Sequence, residues 1–185
     1  RVIFNYLYFM NIDGQPHRTI WEKDDDPGTV MIIDQRRLPH ELVYEELRST
    51  VDAAQAIRDM HVRGAPLIGA TAAYGMSLAA REAAGMSGGT AQAHLEAAAE
   101  QLRSTRPTAV DLFRAVETSL AALATTDDAG ERIRRARAAA RRIVEESVAA
   151  CRRIGEHGLE LLRAVSARKG GAPVNILTHC NAGWL

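Results

Sequence analysis

One short stretch of the sequence carries the residue types that bind a phosphorylated small molecule. Arg63-Gly64-Ala65-Pro66 precedes an apolar run, and Pro66 suits the first turn of a helix. Amide groups at a helix start favour an anion, a neighbouring arginine can add a bidentate contact to phosphate, and glycine allows close approach of the backbone to a ligand. The stretch predicts either an anion-binding helix start or a simple connector with a surface arginine.

A second arginine occupies the same kind of position. Arg106 lies between Thr105 and Pro107, in a loop that precedes another predicted helix. It is either a further contact to an anion or a solvated side chain. With Arg63 it would supply two cationic groups near two helix starts.

A cysteine near the end of the sequence is the candidate for acid–base or nucleophilic chemistry. Cys180 follows residues 173–178, which predict a buried strand after the break at Gly170 and Gly171. Ligands of open α/β sheets bind beyond the carboxyl ends of strands, and a thiol ahead of a helix start can have a lowered pKa. The alternative for Cys180 is a small core side chain. Cys151, inside a predicted helix, is interpreted as packing.

Charge and cysteine content narrow the class of protein. The 23 basic and 23 acidic residues cancel, so no electrostatic footprint for nucleic acid or an anionic membrane is expected. The two cysteines form no CxxC or Cys/His metal motif, which predicts no metal and a cytoplasmic location. The apolar stretch near the start is too short to span a bilayer. His179 is a candidate acid or base only through Cys180, and His40 is interpreted as a turn residue.

The candidate residues must be positioned by strands and helices, and alanine content differs between the part of the chain that predicts strands and the part that predicts helices. Residues 1–50 contain no alanine and are rich in β-branched and aromatic side chains. Residues 19–21 and 29–33 predict strands around a turn at 24–28, and residues 42–47 predict a third strand rather than a short helix. A small antiparallel sheet is expected. After it, the pattern predicts helices over about 51–60, 66–84, 90–103, 109–123 and 128–165.

The expected fold class is α+β, with a small N-terminal antiparallel sheet followed by a helical bundle. Residues 1–16 are a possible extension and residues 17–172 form the sheet-plus-helices domain. The strand at 173–178 needs partners on both edges and cover on both faces. We therefore expect residues 173–185 to begin a truncated Rossmann-like α/β domain that is otherwise missing from this chain.

Motifs along most of the chain together resemble the methylthioribose-1-phosphate isomerase family, aldose–ketose isomerases of methionine salvage. The most specific are Arg-Gly-Ala-Pro at 63–66 and Cys-Asn-Ala-Gly at 180–183. The others lie at residues 18–21, 33–35, 38–39, 67–75, 104–108 and 151–158.

The resemblance implies a two-domain enzyme that forms homodimers and converts a sugar phosphate without a metal or organic cofactor. It implies that Arg63, Gly64, Ala65 and Arg106 bind the phosphate and the sugar, and that Cys180 is catalytic. It also implies an aspartate proton donor in a C-terminal domain outside these 185 residues. The chain alone is therefore expected to be inactive.

Two related functions remain as alternatives. One is a ribose-1,5-bisphosphate isomerase, in which a second phosphate would replace the methylthio group. The other is a non-catalytic regulatory subunit of a translation initiation factor exchange complex with the same fold. Such subunits generally lack the two most specific motifs, so the resemblance favours the enzyme.

Overall fold

The computed structural model describes residues 10–12 and 15–177, and its first element is a two-stranded hairpin. β1 (Met10–Ile12) pairs antiparallel with β2 (Gln15–His17), with Met10 opposite His17. These strands fall mainly within residues 1–16, for which the sequence predicts a possible extension and no strand. The overlooked signal is the Asp-Gly dipeptide between them, which is typical of tight hairpins.

The predicted antiparallel sheet is confirmed. β3 (Ile20–Glu22), β4 (Val30–Ile33) and β5 (Tyr44–Leu47) lie in that order, with β4 in the middle. Alternate side chains face the helices, because successive residues of a strand point to opposite faces. The buried face comprises Ile20, Val30, Ile32 and Leu47.

The five predicted helices are also present. They are α1 (Thr50–Arg58), α2 (Ala65–Glu82), α3 (Gly88–Thr105), α4 (Val110–Leu123) and α5 (Ala129–Arg168). A short 3₁₀ turn, Ala83–Gly85, follows α2. The start of α1 is fixed by a capping box, in which the Ser49 hydroxyl accepts from the Asp52 amide and the Asp52 carboxylate accepts from the Ser49 amide.

Helix α2 is the centre of the core and contacts all four other helices. Leu67–Ala80 are all buried, so the helix has no solvent-facing side along that length. Its glycines allow close packing against neighbouring helices. A Cβ on Gly69 would lie 2.9 Å from the backbone oxygen of Asp111, and one on Gly75 would lie 3.0 Å from the Leu102 side chain.

Helix α5 has 40 residues and therefore extends for about 60 Å. Its buried residues all lie between Arg132 and Val144, where it packs on α2 and α4. Arg137 and Arg141 in this half form ion pairs with Glu22 of β3 and so join the helix to the sheet. Within the described residues, no helix combines the length and hydropathy needed to cross a membrane.

The predicted strand at 173–178 is wrong for the residues that the structure describes. After α5 the chain turns at Gly170 and Gly171, which both have positive φ, and residues 172–177 have no regular structure. Leu177 is 99% exposed and Ile176 is 51% exposed. A strand requires a hydrogen-bonded neighbour, and no strand among residues 10–12 and 15–177 pairs with this segment.

Candidate functional site

The backbone at Gly64 forms the start of α2. Gly64 is the N-cap with φ 91° and ψ 132°, a left-handed conformation that favours glycine. It has no side chain to cap the helix, Pro66 lies in the first turn, and that turn contains no acidic residue. Ala65 is exposed. The first-turn amides therefore lack a side-chain acceptor from this turn, which leaves them suited to an external anion.

Arg63 lies immediately before this helix start and is half-buried. Its Nε is buried and has no hydrogen-bond partner. Among residues 10–12 and 15–177 it forms no ion pair with an acidic side chain. A buried guanidinium nitrogen without an acceptor costs free energy.

Arg106 ends α3 as its C-cap, with φ −146° and ψ 80°. Its carbonyl accepts a hydrogen bond from the Ala109 amide at 3.0 Å, which closes the loop that leads into α4. The side chain is half-buried. Like Arg63, it has no acidic partner in the described part of the chain.

The helix packing brings the two arginine loops to the same end of the helical layer. Helix α3 runs antiparallel to α2, because His94 near the start of α3 bonds to Glu82 at the end of α2, at 2.9 Å. Further along, Leu102 packs against Gly75. The loop at Arg106 therefore lies toward the start of α2. Helix α4 begins there too, since Asp111 in its first turn contacts Gly69.

A groove of about 670 Å³ lies between α2, α4 and α5 beside this end. Pro66 belongs to its wall and connects it to the helix start. Its other walls carry Asp111, Arg114, Arg142, Glu146, Cys151 and Arg153. Cys151 is half-buried and forms no disulfide within the described residues. Its interpretation as a packing residue stays a prediction. Its position in the wall of the groove was not predicted from the sequence.

A polar cluster beside the Arg63 segment was not found from the sequence. The acidic and imidazole atoms of Asp34, Glu45 and His61 lie within 4.8 Å of one another. Hydrogen bonds from Arg36 lower the pKa of Asp34 to about 2, although burial opposes the shift. These residues come from a loop, a strand and a helix–helix connection, so no spacing in the sequence indicates that they form a cluster.

The donor set of this cluster argues against a cation site. Both carboxylate oxygens of Asp34 accept hydrogen bonds from Arg36, at 2.8 Å each. Glu45 Oε2 lies 2.5 Å from His61 Nδ1. A metal ion would lie beside the Arg36 guanidinium and compete with these bonds, so we interpret the cluster as a hydrogen-bond network.

Cys180 lies outside the described residues, as do Thr178 and His179. The structure thus brings the regions of Arg63, Gly64, Ala65 and Arg106 to one end of the fold. The predicted contact of these residues with a substrate, and the predicted role of Cys180, stay predictions.

Comparison with known protein families identifies relatives over nearly the whole chain. Residues 61–185 match the initiation factor 2 subunit family. The chain is 51% identical to a methylthioribose-1-phosphate isomerase of Methylorubrum populi over 176 residues, which cover 95% of this chain and 46% of that protein. The chain spans about half the length of the curated relatives it matches.

Two solved structures resemble the fold to almost the same degree. The translation initiation factor eIF-2B, subunit delta, from A. fulgidus has a TM-score of 0.65 and 39% identity, covering 71% of this chain and 37% of that one. The 5-methylthioribose 1-phosphate isomerase from Pyrococcus horikoshii has a TM-score of 0.64 and 34% identity, covering 70% and 36%. Backbone similarity alone therefore does not separate an enzyme from an initiation factor subunit.

Proposed function

The chain belongs to the initiation factor 2 subunit family, and we propose that it supplies the phosphate-binding part of a methylthioribose-1-phosphate isomerase. The observation that carries the proposal is the pair Arg63 and Arg106, two half-buried arginines without acidic partners in the described residues, at one end of the helical layer. The 51% identity to an isomerase over 95% of the chain supports the same reaction.

In this proposal the two arginines hold the substrate's phosphate dianion. Charge-assisted contacts from Arg63 and Arg106 neutralise the phosphate and fix the sugar relative to the reacting groups. The backbone at Gly64 and Ala65 adds amide donors at the start of α2, where the helix dipole favours negative charge. No step needs a metal or an organic cofactor.

The reaction is an internal transfer of hydrogen. The 1-phosphate blocks simple opening of the sugar ring, so an acid protonates the ring oxygen as its bond to C1 breaks. In one route the Cys180 thiolate removes the proton from C2, and an enediol-type intermediate then gains a proton at C1 while the C2 hydroxyl loses its own and becomes a ketone. In the other route a hydride moves directly from C2 to C1 as the C2 hydroxyl loses its proton. The acid is an aspartate from a domain beyond residue 185.

The remaining parts of the proposal concern the whole protein. Residues 173–185 begin a Rossmann-like domain, whose further strands would give the segment at 173–178 the neighbours it requires. The full-length protein is a cytoplasmic homodimer. The protein binds a small sugar phosphate. It has no role in binding nucleic acid or a membrane.

Two alternative functions have weaker support. A ribose-1,5-bisphosphate isomerase would use the same two arginines and differ at the other end of the substrate. A regulatory subunit is supported by the likeness to the A. fulgidus initiation factor subunit. That function would require no thiol at position 180 and no affinity for a sugar phosphate.

An activity assay on the full-length protein tests the proposal. We expect it to convert methylthioribose 1-phosphate to the ketose phosphate, and to act far more slowly on ribose 1,5-bisphosphate. Cys180→Ser should remove most turnover while leaving the fold intact, because a hydroxyl is a far weaker base than a thiolate. Cys151→Ser is the matched control and should retain activity. Turnover that survives in Cys180→Ser would reject the role of this thiol.

A further inference from the structure

The segment that leads to Arg63 is held in place two residues earlier, at His61. The His61 amide donates to the Ala56 carbonyl of α1 at 2.9 Å, and the His61 carbonyl accepts from the Gln35 amide at 2.9 Å. The ring Nδ1 forms a 2.5 Å hydrogen bond with Glu45 of β5. Three elements therefore fix both the backbone and the ring of His61.

The partner of the His61 ring is itself oriented. A carboxylate oxygen accepts hydrogen bonds, and the protonated Nδ1 tautomer of His61 is the one that can donate to it. The other oxygen of Glu45 lies 3.4 Å from Arg36 Nη2. Arg36 is held in turn by its two bonds to Asp34, which is 1% exposed. The network thus alternates acidic and basic groups from a buried anchor to the ring of His61.

The inner side of the same region contains polar atoms with no partner. Both side-chain polar atoms of Gln35, the Nε2 of His61 and the Nε of Arg63 are buried and form no hydrogen bond in the described structure. Gln35 is 1% exposed. Buried unpaired polar atoms are rare in folded proteins. Their concentration beside Arg63 indicates a region arranged for a purpose other than stability.

We propose that Glu45 and His61 are positioning residues that set the direction of Arg63 toward the phosphate, an inference that rests on the proposed function. Neither touches the substrate. Because His61 is anchored to both the sheet and α1, the chain reaches Arg63 along one fixed path. The loss of either anchor would leave the Arg63 side chain free to point away from the start of α2.

A double-mutant cycle in the full-length protein tests this role. The dissociation constants of methylthioribose 1-phosphate and of inorganic phosphate are measured for wild type, His61→Leu, Arg63→Ala and the double variant. We expect His61→Leu to weaken binding by about three- to tenfold in the wild-type background and by less than about twofold when Arg63 is already alanine, since coupled residues are not additive. The kcat of His61→Leu should change less than its KM.

Two conservative variants and one control separate positioning from general stability. His61→Asn can keep a donor near the place of Nδ1 and should restore most of the affinity. Glu45→Gln keeps the acceptor and the size of the side chain, so it folds even if His61→Leu does not, and should weaken binding by a smaller factor. His94→Leu removes a second histidine–glutamate pair of the described residues, at the far end of α2, and should leave affinity unchanged.

The outcomes distinguish a failure of the positioning role from a failure of the proposed phosphate-binding function. Equal losses from His61→Leu in both backgrounds, or unchanged affinity in folded His61→Leu or Glu45→Gln, would overturn the positioning role while Arg63→Ala still weakens binding. Unchanged affinity for both probes in Arg63→Ala would reject the phosphate-binding role of Arg63, and the positioning role with it.

Discussion

Two pairs of arginines in this chain have opposite surroundings. Arg137 and Arg141 of α5 both bond to Glu22, whose side chain is only 10% exposed, and so connect the long helix to the sheet. Arg63 and Arg106 are half-buried and have no acidic partner in the described residues. The first pair has its counter-charge inside the fold, whereas the second pair has none among the described residues and is available to an external anion.

The chain carries many arginines but has no net charge, since its 23 basic residues are balanced by 23 acidic ones. Along α5 several guanidinium groups pair with glutamates one turn away, as in Arg135 with Glu131 and Arg152 with Glu156. Such exposed pairs contribute little to stability. A missing partner is not sufficient to mark an anion site, because the exposed Arg58 and Arg114 also form no ion pair within the described residues. Arg63 and Arg106 differ in that they are half-buried and lie beside a helix start.

The largest expected effect is on catalysis when the unpaired arginines are removed. Arg63→Ala or Arg106→Ala should lower kcat/KM for methylthioribose 1-phosphate by about 10- to 100-fold, since a charge-assisted contact contributes about 1.5–3 kcal/mol. The melting temperature should change little, because no ion pair in the described structure is lost. An unchanged kcat/KM would exclude that arginine from the phosphate site.

Removing the acidic partner of the other pair should act on stability instead. Glu22→Gln leaves two guanidinium groups without their counter-charge and should lower the free energy of unfolding by about 1–3 kcal/mol. Affinity for the sugar phosphate should be that of wild type. Chemical denaturation and ligand titration measure the two quantities separately. A Glu22→Gln variant with normal stability and weak binding would reverse the assignment of the two pairs.

The carboxyl group of Glu22 should make the free energy of unfolding depend on pH in the acid range. Burial would raise the pKa of Glu22, but hydrogen bonds and charges from Arg137 and Arg141 outweigh it and hold that pKa below its usual 4.5. Because the folded-state pKa is the lower one, this contribution is complete above 4.5 and is lost as the pH falls through the folded value. Denaturation at several pH values should show wild type and Glu22→Gln converging in acid, and a constant difference would contradict this.

The smallest expected effect concerns the backbone beside Arg63. Gly64→Ala forces a side chain into φ 91° and should cost about 1–2 kcal/mol of stability together with some affinity for phosphate. Gly88→Ala is the matched control, because Gly88 begins α3 with nothing within 4 Å of an added Cβ. That variant should be neutral or slightly stabilised. Equal effects of the two substitutions would show that the shape of the Gly64 turn is unimportant.

The sequence predicted the elements that depend on local pattern. The strands around the 24–28 turn and the periodic helices are all encoded by neighbouring residues. It also identified Pro66 as belonging to the start of a helix, because the fixed φ of proline suits a first helical turn.

Features that depend on distant residues could not be predicted in this way. The bond between His61 and Glu45 joins a connection between helices to a strand, and no local spacing indicates it. The missing partners of Arg63 and Arg106 are a property of the packed fold. The predicted strand at 173–178 failed over residues 173–177 because apolar residues form a strand only when a neighbouring strand is available.

The central claim, that Arg63 and Arg106 recognise phosphate, is tested most directly by comparing two ligands that differ only in that group. Calorimetric titration would measure the affinity of the full-length protein for methylthioribose 1-phosphate and for methylthioribose. We predict that wild type and Arg137→Ala prefer the phosphorylated sugar to the same extent, and that Arg63→Ala and Arg106→Ala each reduce this preference by at least about tenfold. A preference that is unchanged in both Arg63→Ala and Arg106→Ala would contradict the claim.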